Sequence, residues 1–156
     1  TCTNQLLRVL SAVGAGTCAA VVLTADVTGV LPVANGGGTG STYTPTLTGV
    51  SNVISTTAYA CQYMQVGNTV TVSGQIDIDP DAGLSTTTVG ISLPVASALT
   101  AVEQVGGTAV SPNNAATAPP AAISADATND RAQLDYITTA DVANRSFWFT
   151  FTYRLI

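Results

Sequence analysis

Two short stretches concentrate the side chains that could bind a metal ion. Residues 77–83 carry Asp77, Asp79 and Asp81 before a Gly, and residues 126–130 carry two further Asp and an Asn. Carboxylate and amide oxygens near a glycine are groups that Ca²⁺ prefers. Neither stretch has the twelve-residue loop with a closing Glu, and both are also typical of turns. We interpret them as turns, with calcium binding as the alternative, and assign no metal and no cofactor.

The side chains that enzymes use as bases are nearly absent. The chain has no His and no Lys, and Glu103 is its single Glu. A Ser or Thr nucleophile therefore lacks a base, and a glycosidase-like pair of carboxylates finds no acidic cleft. Residues 36–40, Gly-Gly-Gly-Thr-Gly, lack the Gly-Lys-Ser/Thr of a phosphate-binding loop. We predict that the protein is not an enzyme.

Three cysteines are scattered along the chain. Cys2, Cys18 and Cys61 show no Cys-x-x-Cys spacing, and without His they offer no zinc site. We predict free thiols, with a Cys2–Cys18 bridge as the alternative and Cys61 as a small buried apolar residue. Free thiols are typical of a protein made in a reducing cytoplasm.

Charge is scarce throughout the chain. Only 8% of the residues are charged, against about 25% in an average globular protein. The net charge of −5 argues against binding to nucleic acid or to an anionic membrane, and no apolar run approaches the ~20 residues that span a bilayer. Because a monomer with so few charges is poorly soluble, we predict a homo-oligomer in which copies of the chain cover one another.

The elements that must position these groups are β-strands. Residues 69–79 alternate between apolar and polar side chains, and Gly67-Asn68 precedes them as a hairpin turn. A second hairpin is predicted around residues 126–130, and a strand with a bulge at its paired glycines over residues 103–110. Seven or eight such strands without a long helix predict an all-β fold, an antiparallel β-sandwich of the jelly-roll type.

The last strand, residues 145–156, separates aromatic side chains onto two faces. All three Phe of the chain share one face, which we predict to be the centre of the core, and Trp148 lies on the other. An exposed Trp148 could stack on a sugar or anchor a neighbouring subunit. The alternative is that it is buried in a second apolar surface, within the fold or between subunits.

The N-terminal residues 3–13 have apolar side chains at a helical spacing. The pattern predicts a short amphipathic helix, with an extended attachment segment as the alternative. Such a helix is below the about 12–15 residues at which helicity persists in water, so its apolar face needs a partner. We predict a subunit interface formed by Leu6, Leu7, Leu10, Val13 and Trp148.

A glycine-rich stretch divides the chain into two parts. Four of the five residues 36–40 are Gly, which disfavours a regular helix or central strand and suits a hinge. We predict an N-terminal attachment segment over residues 1–42 and a β-sandwich domain over residues 43–156. The hinge consists of Leu31, Pro32, Val33, Ala34, Asn35, Gly36, Gly37, Gly38, Thr39 and Gly40.

The hinge sequence Leu-Pro-Val-Ala-Asn-Gly-Gly-Gly-Thr-Gly resembles the LPVANGGTG motif of tailed-bacteriophage tail-fibre and other virion-fibre proteins, with one additional Gly. Residues 42–48, 59–63 and 149–154 are also similar to the distal domain of such fibres. The resemblance implies a structural protein of the virion, a tail or head fibre made in the host cytoplasm. It further implies a homotrimer, attached to other virion proteins through its N-terminal segment. Residues 43–156 would then face the host and attach to a glycan or protein on its surface.

Two other functions remain open at the level of sequence. A capsid decoration protein, which cements the shell, would need no receptor. A pilin-like subunit would share the Thr- and Ala-rich composition and the sandwich fold. It would also carry a disulfide within the sandwich, where this chain has only Cys61.

Overall fold

The computed structural model describes residues 6–10, 16–19, 38–112, 120–139 and 144–156. The chain divides into two compact units, Thr1–Gly37 and Gly38–Ile156. This division falls inside the glycine-rich stretch, five residues before the boundary that the sequence predicts.

The first unit contains a pair of antiparallel strands, β1 (Leu6–Leu10) and β2 (Gly16–Ala19). The predicted helix over residues 3–13 is therefore wrong: Leu6, Leu7 and Leu10 belong to β1, and Val13 lies outside the described residues. A helix this short is marginal in isolation, whereas an antiparallel partner supplies hydrogen bonds to an extended segment. The extended alternative agrees with the structure.

Within the described part of the second unit, ten strands form one antiparallel sheet. The strands are β3 (Gly38–Tyr43), β4 (Leu47–Ser51), β5 (Val53–Ala58), β6 (Cys61–Val66), β7 (Thr69–Pro80), β8 (Thr86–Ser92), β9 (Val105–Val110), β10 (Ala121–Asp126), β11 (Arg131–Ile137) and β12 (Arg145–Arg154). Their order is β3-β6-β7-β12-β9-β10-β11-β8-β4, and β5 pairs with β7. The all-β antiparallel prediction is confirmed. The strands form one continuous curled sheet, so the finer prediction of a two-sheet sandwich is not confirmed.

Two features accompany the curl of the sheet. Strand β7 pairs with two different strands along one of its sides, and the chain turns sharply between β4 and β5. The first half of β7 pairs with β6 and its second half pairs with β5. Strand β4, which precedes β5, pairs with β8 at the other end of the sheet, so residues 47–58 connect the two ends. At the corner Asn52 has a φ of 55°, a conformation that Asn tolerates better than most residues. Its side-chain amide bonds the backbone of Ala82 (2.7 and 2.9 Å) and the hydroxyl of Thr87 (2.8 Å).

The core occupies the concave side of this sheet. The inward side chains of β7 and β12 alternate as predicted, and Phe147, Phe149 and Phe151 are at most 4% exposed. The ring of Phe149 stacks on that of Phe151 with a centroid distance of 5.8 Å. Gly74 interrupts the apolar row of β7 because a Cβ there would collide with the thiol of Cys61. The predicted core row on the last strand is confirmed.

Glycines have two different roles in the turn between β6 and β7 and in strand β9. The hairpin turn at Gly67-Asn68 is confirmed, with Gly67 at a φ of 57° between β6 and β7. The bulge predicted at Gly106-Gly107 is wrong, because β9 keeps a regular register with β12. Gly107 instead allows a close approach: a Cβ at this position would collide with the carbonyl of Thr150 and with Phe151 on β12.

The predicted hinge extends into regular structure. Gly38, Thr39 and Gly40 form the first half of β3, and residues 31–37 lie outside the described residues. A strand tolerates these glycines because β3 is at an end of the sheet, paired with β6 on one side. An edge strand has a packed neighbour on one side only, so the missing side chains matter less there.

Candidate functional site

The most exposed aromatic side chain of the sheet is Trp148, on the outer face of β12. Trp148 is 54% exposed, which rules out burial within the fold. Contact with a sugar and burial between subunits both remain predictions. The indole Nε1 donates a hydrogen bond to Oε1 of Gln75 on β7 (3.2 Å). On the opposite side Trp148 faces Val110 of β9, which is also exposed. Trp148 is therefore held in a defined orientation on the surface.

A chain of hydrogen bonds fixes this orientation. Gln75 donates through Nε2 to Oδ1 of Asp77 (3.4 Å), and Oδ2 of Asp77 accepts from the hydroxyl of Tyr59 (2.7 Å). Burial raises the pKa of Asp77, but hydrogen bonds from Ser146, Tyr59 and Gln75 outweigh burial and hold that pKa below its usual value. Asp77 thus stays ionised at neutral pH and orients Gln75 toward the indole.

Between Asp77 at one end and Arg154 at the other, the outer face of five neighbouring strands carries no charged side chain. Cross-strand register places these residues side by side on the convex side of β3, β6, β7, β12 and β9. We call this surface the uncharged face; it consists of Thr42, Gln62, Met64, Thr71, Ser73, Gln75, Thr108, Val110, Trp148, Thr150 and Thr152. Strand spacing and rise make it about 20 Å by 15 Å. Asp77 and Arg154 mark its two ends along the strands.

Hydroxyl groups stiffen the middle of the uncharged face. Thr71 and Thr152 share a hydrogen bond between their hydroxyls (3.1 Å), and the hydroxyl of Thr150 donates to the carbonyl of Val72 (3.1 Å). Short β-branched side chains lose little conformational freedom when a partner covers them. Met64 and Val110 add apolar area on either side. This surface is suited to contact with another protein surface.

The acidic side chains of residues 126–130 hold a turn in place by hydrogen bonds. Asp126 accepts hydrogen bonds from Arg131 (2.7 Å) and from the Asn129 amide (2.8 Å), and Asp130 accepts from the backbone of Ser97 and Leu99. Burial raises the pKa of Asp126 and of Asp130, but these hydrogen bonds outweigh it and lower both values. Within the described ranges, no three His, Cys, Asp or Glu side chains are placed to hold a metal ion.

The buried reactive groups are held in unreactive states. The Cys61 thiol is fully buried, donates to the carbonyl of Tyr59 (3.4 Å), and has a pKa raised by burial. Burial also raises the pKa of Tyr153 to about 12, and its hydroxyl bonds the backbone of Val95. Neither group is poised as a nucleophile or base, since both need a lowered pKa.

The predicted subunit-interface residues fall in different units. Trp148 lies on the second unit, whereas Leu6, Leu7 and Leu10 belong to β1 of the first. The neighbours that complete the surface around Trp148 were missed by sequence reasoning. Gln75, Met64 and Val110 come from three different strands, so only the strand order shows that they lie near Trp148.

No protein-family model, curated protein or solved structure matches this chain. Among the described residues, no helix is long and apolar enough to cross a membrane.

Proposed function

We propose that the protein is a non-enzymatic structural component of a bacteriophage virion, a tail or head fibre that self-associates through the uncharged face. The uncharged face is the observation that carries the proposal, because a stretch of sheet about 20 Å wide without a charged side chain has the depletion of charge that is found at the cores of interfaces. Trp148 at its margin has the exposure and fixed orientation of an interface anchor.

The glycine-rich motif supports the virion assignment. The boundary between the two compact units falls between Gly37 and Gly38, inside the stretch that resembles the fibre motif. In such fibres the motif joins an attachment segment to a distal β-rich domain. By analogy, residues 1–37 attach to other virion proteins and residues 38–156 form the outer part, which contacts a glycan or protein of the host surface. The protein would be made in the host cytoplasm as a homotrimer.

Labelling of phage particles tests this proposal. An antibody against residues 38–156 should bind the fibres of intact particles that contain the protein, and the soluble 156-residue chain should compete with those particles for adsorption to the host. Uniform labelling of the capsid without competition would instead identify a decoration protein that cements the shell. Absence of the protein from purified particles would refute the virion assignment altogether.

A further inference from the structure

A cleft of about 560 Å³ opens at the end of the sheet where β12 ends. Asn68 of the β6–β7 turn and Gln104 of the 3-10 turn Val102–Gln104 line it. Arg154, Leu155 and Ile156 form its floor. The lining side chains are a guanidinium, two amides and two apolar groups, and Ile156 also carries the α-carboxylate of the 156-residue chain, which forms no ion pair with Arg154.

Arg154 differs from the other arginines of the described second unit. Arg131 forms an ion pair with Asp126 (2.7 Å), and Arg145 is buried and donates to the hydroxyl of Thr139 (3.0 Å). Arg154 is exposed and forms no ion pair with any residue that the structure describes. Its guanidinium therefore keeps its donors free for a ligand.

The floor of the cleft is fixed before any ligand arrives. The carbonyl of Arg154 accepts from the Ser97 hydroxyl (2.5 Å), and the backbone N–H of Leu155 donates to the carbonyl of Asn68 (2.7 Å). The backbone N–H of Ile156 donates to the carbonyl of Ser97 (3.3 Å). A ligand that binds here loses less free energy to ordering the protein than one that binds a mobile loop.

The side wall is fixed as well. Oε1 of Gln104 accepts hydrogen bonds from the backbone N–H of Thr100 (2.6 Å) and of Ala101 (3.0 Å). Nε2 of Gln104 donates one hydrogen to the Thr100 hydroxyl (3.1 Å), which leaves its second hydrogen available. The cleft thus presents one N–H of Gln104 in a set position, and the free guanidinium of Arg154 on a backbone that hydrogen bonds hold in place.

The guanidinium of Arg154 and the net charge of the chain together favour a singly charged carboxylate as the ligand. A planar guanidinium matches a carboxylate with two parallel hydrogen bonds. A chain with a net charge of −5 and no Lys repels dianions and polyanions more strongly than a monoanion. Amide side chains bond hydroxyl groups, and Leu155 and Ile156 offer apolar contact for the C–H groups of a ring.

We propose that this cleft binds a carboxylate-bearing sugar of the uronic-acid or sialic-acid type. Arg154 holds the carboxylate, Gln104 and Asn68 bond the hydroxyls, and Leu155 and Ile156 contact the ring. This proposal goes beyond the virion assignment and does not depend on it, because binding is measured on the isolated chain. If no acidic sugar binds, labelled particles can still contain the protein. If the protein is absent from particles, the isolated chain can still bind the sugar.

Titration of the 156-residue chain with glucuronate, N-acetylneuraminate and glucose, followed by amide NMR shifts, tests the proposal. We expect saturable shifts at residues 68, 104 and 154–156 with at least one of the two acidic sugars, and none with glucose at equal concentration. Arg154→Gln should weaken binding at least about tenfold, because one charge-assisted hydrogen bond contributes that much affinity. Arg154→Lys keeps the positive charge and should retain part of the affinity. Glu103→Gln, an exposed neighbour outside the lining, should leave affinity equal or higher.

Three results would overturn the proposal, provided that each variant keeps the wild-type NMR spectrum away from the cleft. The first is equal binding of glucose and the acidic sugars, and the second is unchanged affinity in Arg154→Gln. The third is absence of saturable binding up to about 50 mM of either acidic sugar, well beyond millimolar affinity.

Discussion

Replacement of Phe149 by Ala tests whether the aromatic row of β12 is the centre of the core. Phe149 is 4% exposed and stacks on Phe151. Its cross-strand neighbours are Gly74 on β7 and Ala109 on β9, which have too little side chain to fill the space that the ring leaves. The truncation should therefore lower the free energy of unfolding by about 3–5 kcal/mol, the range for a buried Phe that leaves a cavity.

Urea denaturation followed by Trp148 fluorescence measures this loss. With a slope of about 2 kcal/mol per molar urea, the midpoint should fall by roughly 2 M. Thr152→Ala is the matched control, because Thr152 belongs to the same strand but is exposed on the outer face. It should cost about 1 kcal/mol or less, since it loses one surface hydrogen bond to Thr71. Similar midpoints for the two variants would refute the assignment of this row to the core.

Three further outcomes follow from single sites. Gly107→Ala should lower the free energy of unfolding by more than about 2 kcal/mol because its Cβ collides with β12, whereas Gly106→Ala, with open space around it, should be nearly neutral by the same denaturation assay. Asp126 and Asp130 have a lower pKa in the folded chain than the value of 3.8 for an unperturbed Asp. Their stabilisation is therefore present above about pH 4 and is lost as the pH falls through their folded pKa values, so Asp126→Asn should flatten the loss of stability below pH 4 in acid titrations followed by circular dichroism. The buried Cys61 thiol should react with a thiol reagent only in denaturant, and rapid labelling of the native chain at that position would contradict its placement.

Local patterns predicted the strands whose two faces differ. The alternation in β7 and β12 and the turn at Gly67-Asn68 each depend on neighbouring residues alone, and the structure has all three. The hairpin around residues 126–130 was predicted for the same reason, and β10 and β11 pair as expected.

Features that depend on distant contacts could not be predicted in this way. The apolar spacing of residues 3–13 is helical, and the pairing of β1 with β2, which that spacing does not contain, overrides it. The role of Gly107 requires knowing that β9 lies beside β12. Likewise, the uncharged face exists because β12 lies between β7 and β9, an order that no local pattern contains.

The central claim is that copies of this chain cover one another's uncharged face, and the mass of the particle in solution tests it most directly. Light scattering on the purified chain should give three times the chain mass of 15.7 kDa. Thr150→Arg, at the middle of the face, should dissociate the trimer, because association would bury an unpaired charge. Thr128→Arg, in the exposed turn after β10, should leave the mass unchanged. A monomer at high concentration in the unmodified chain, or a trimer that persists in Thr150→Arg, would contradict the account.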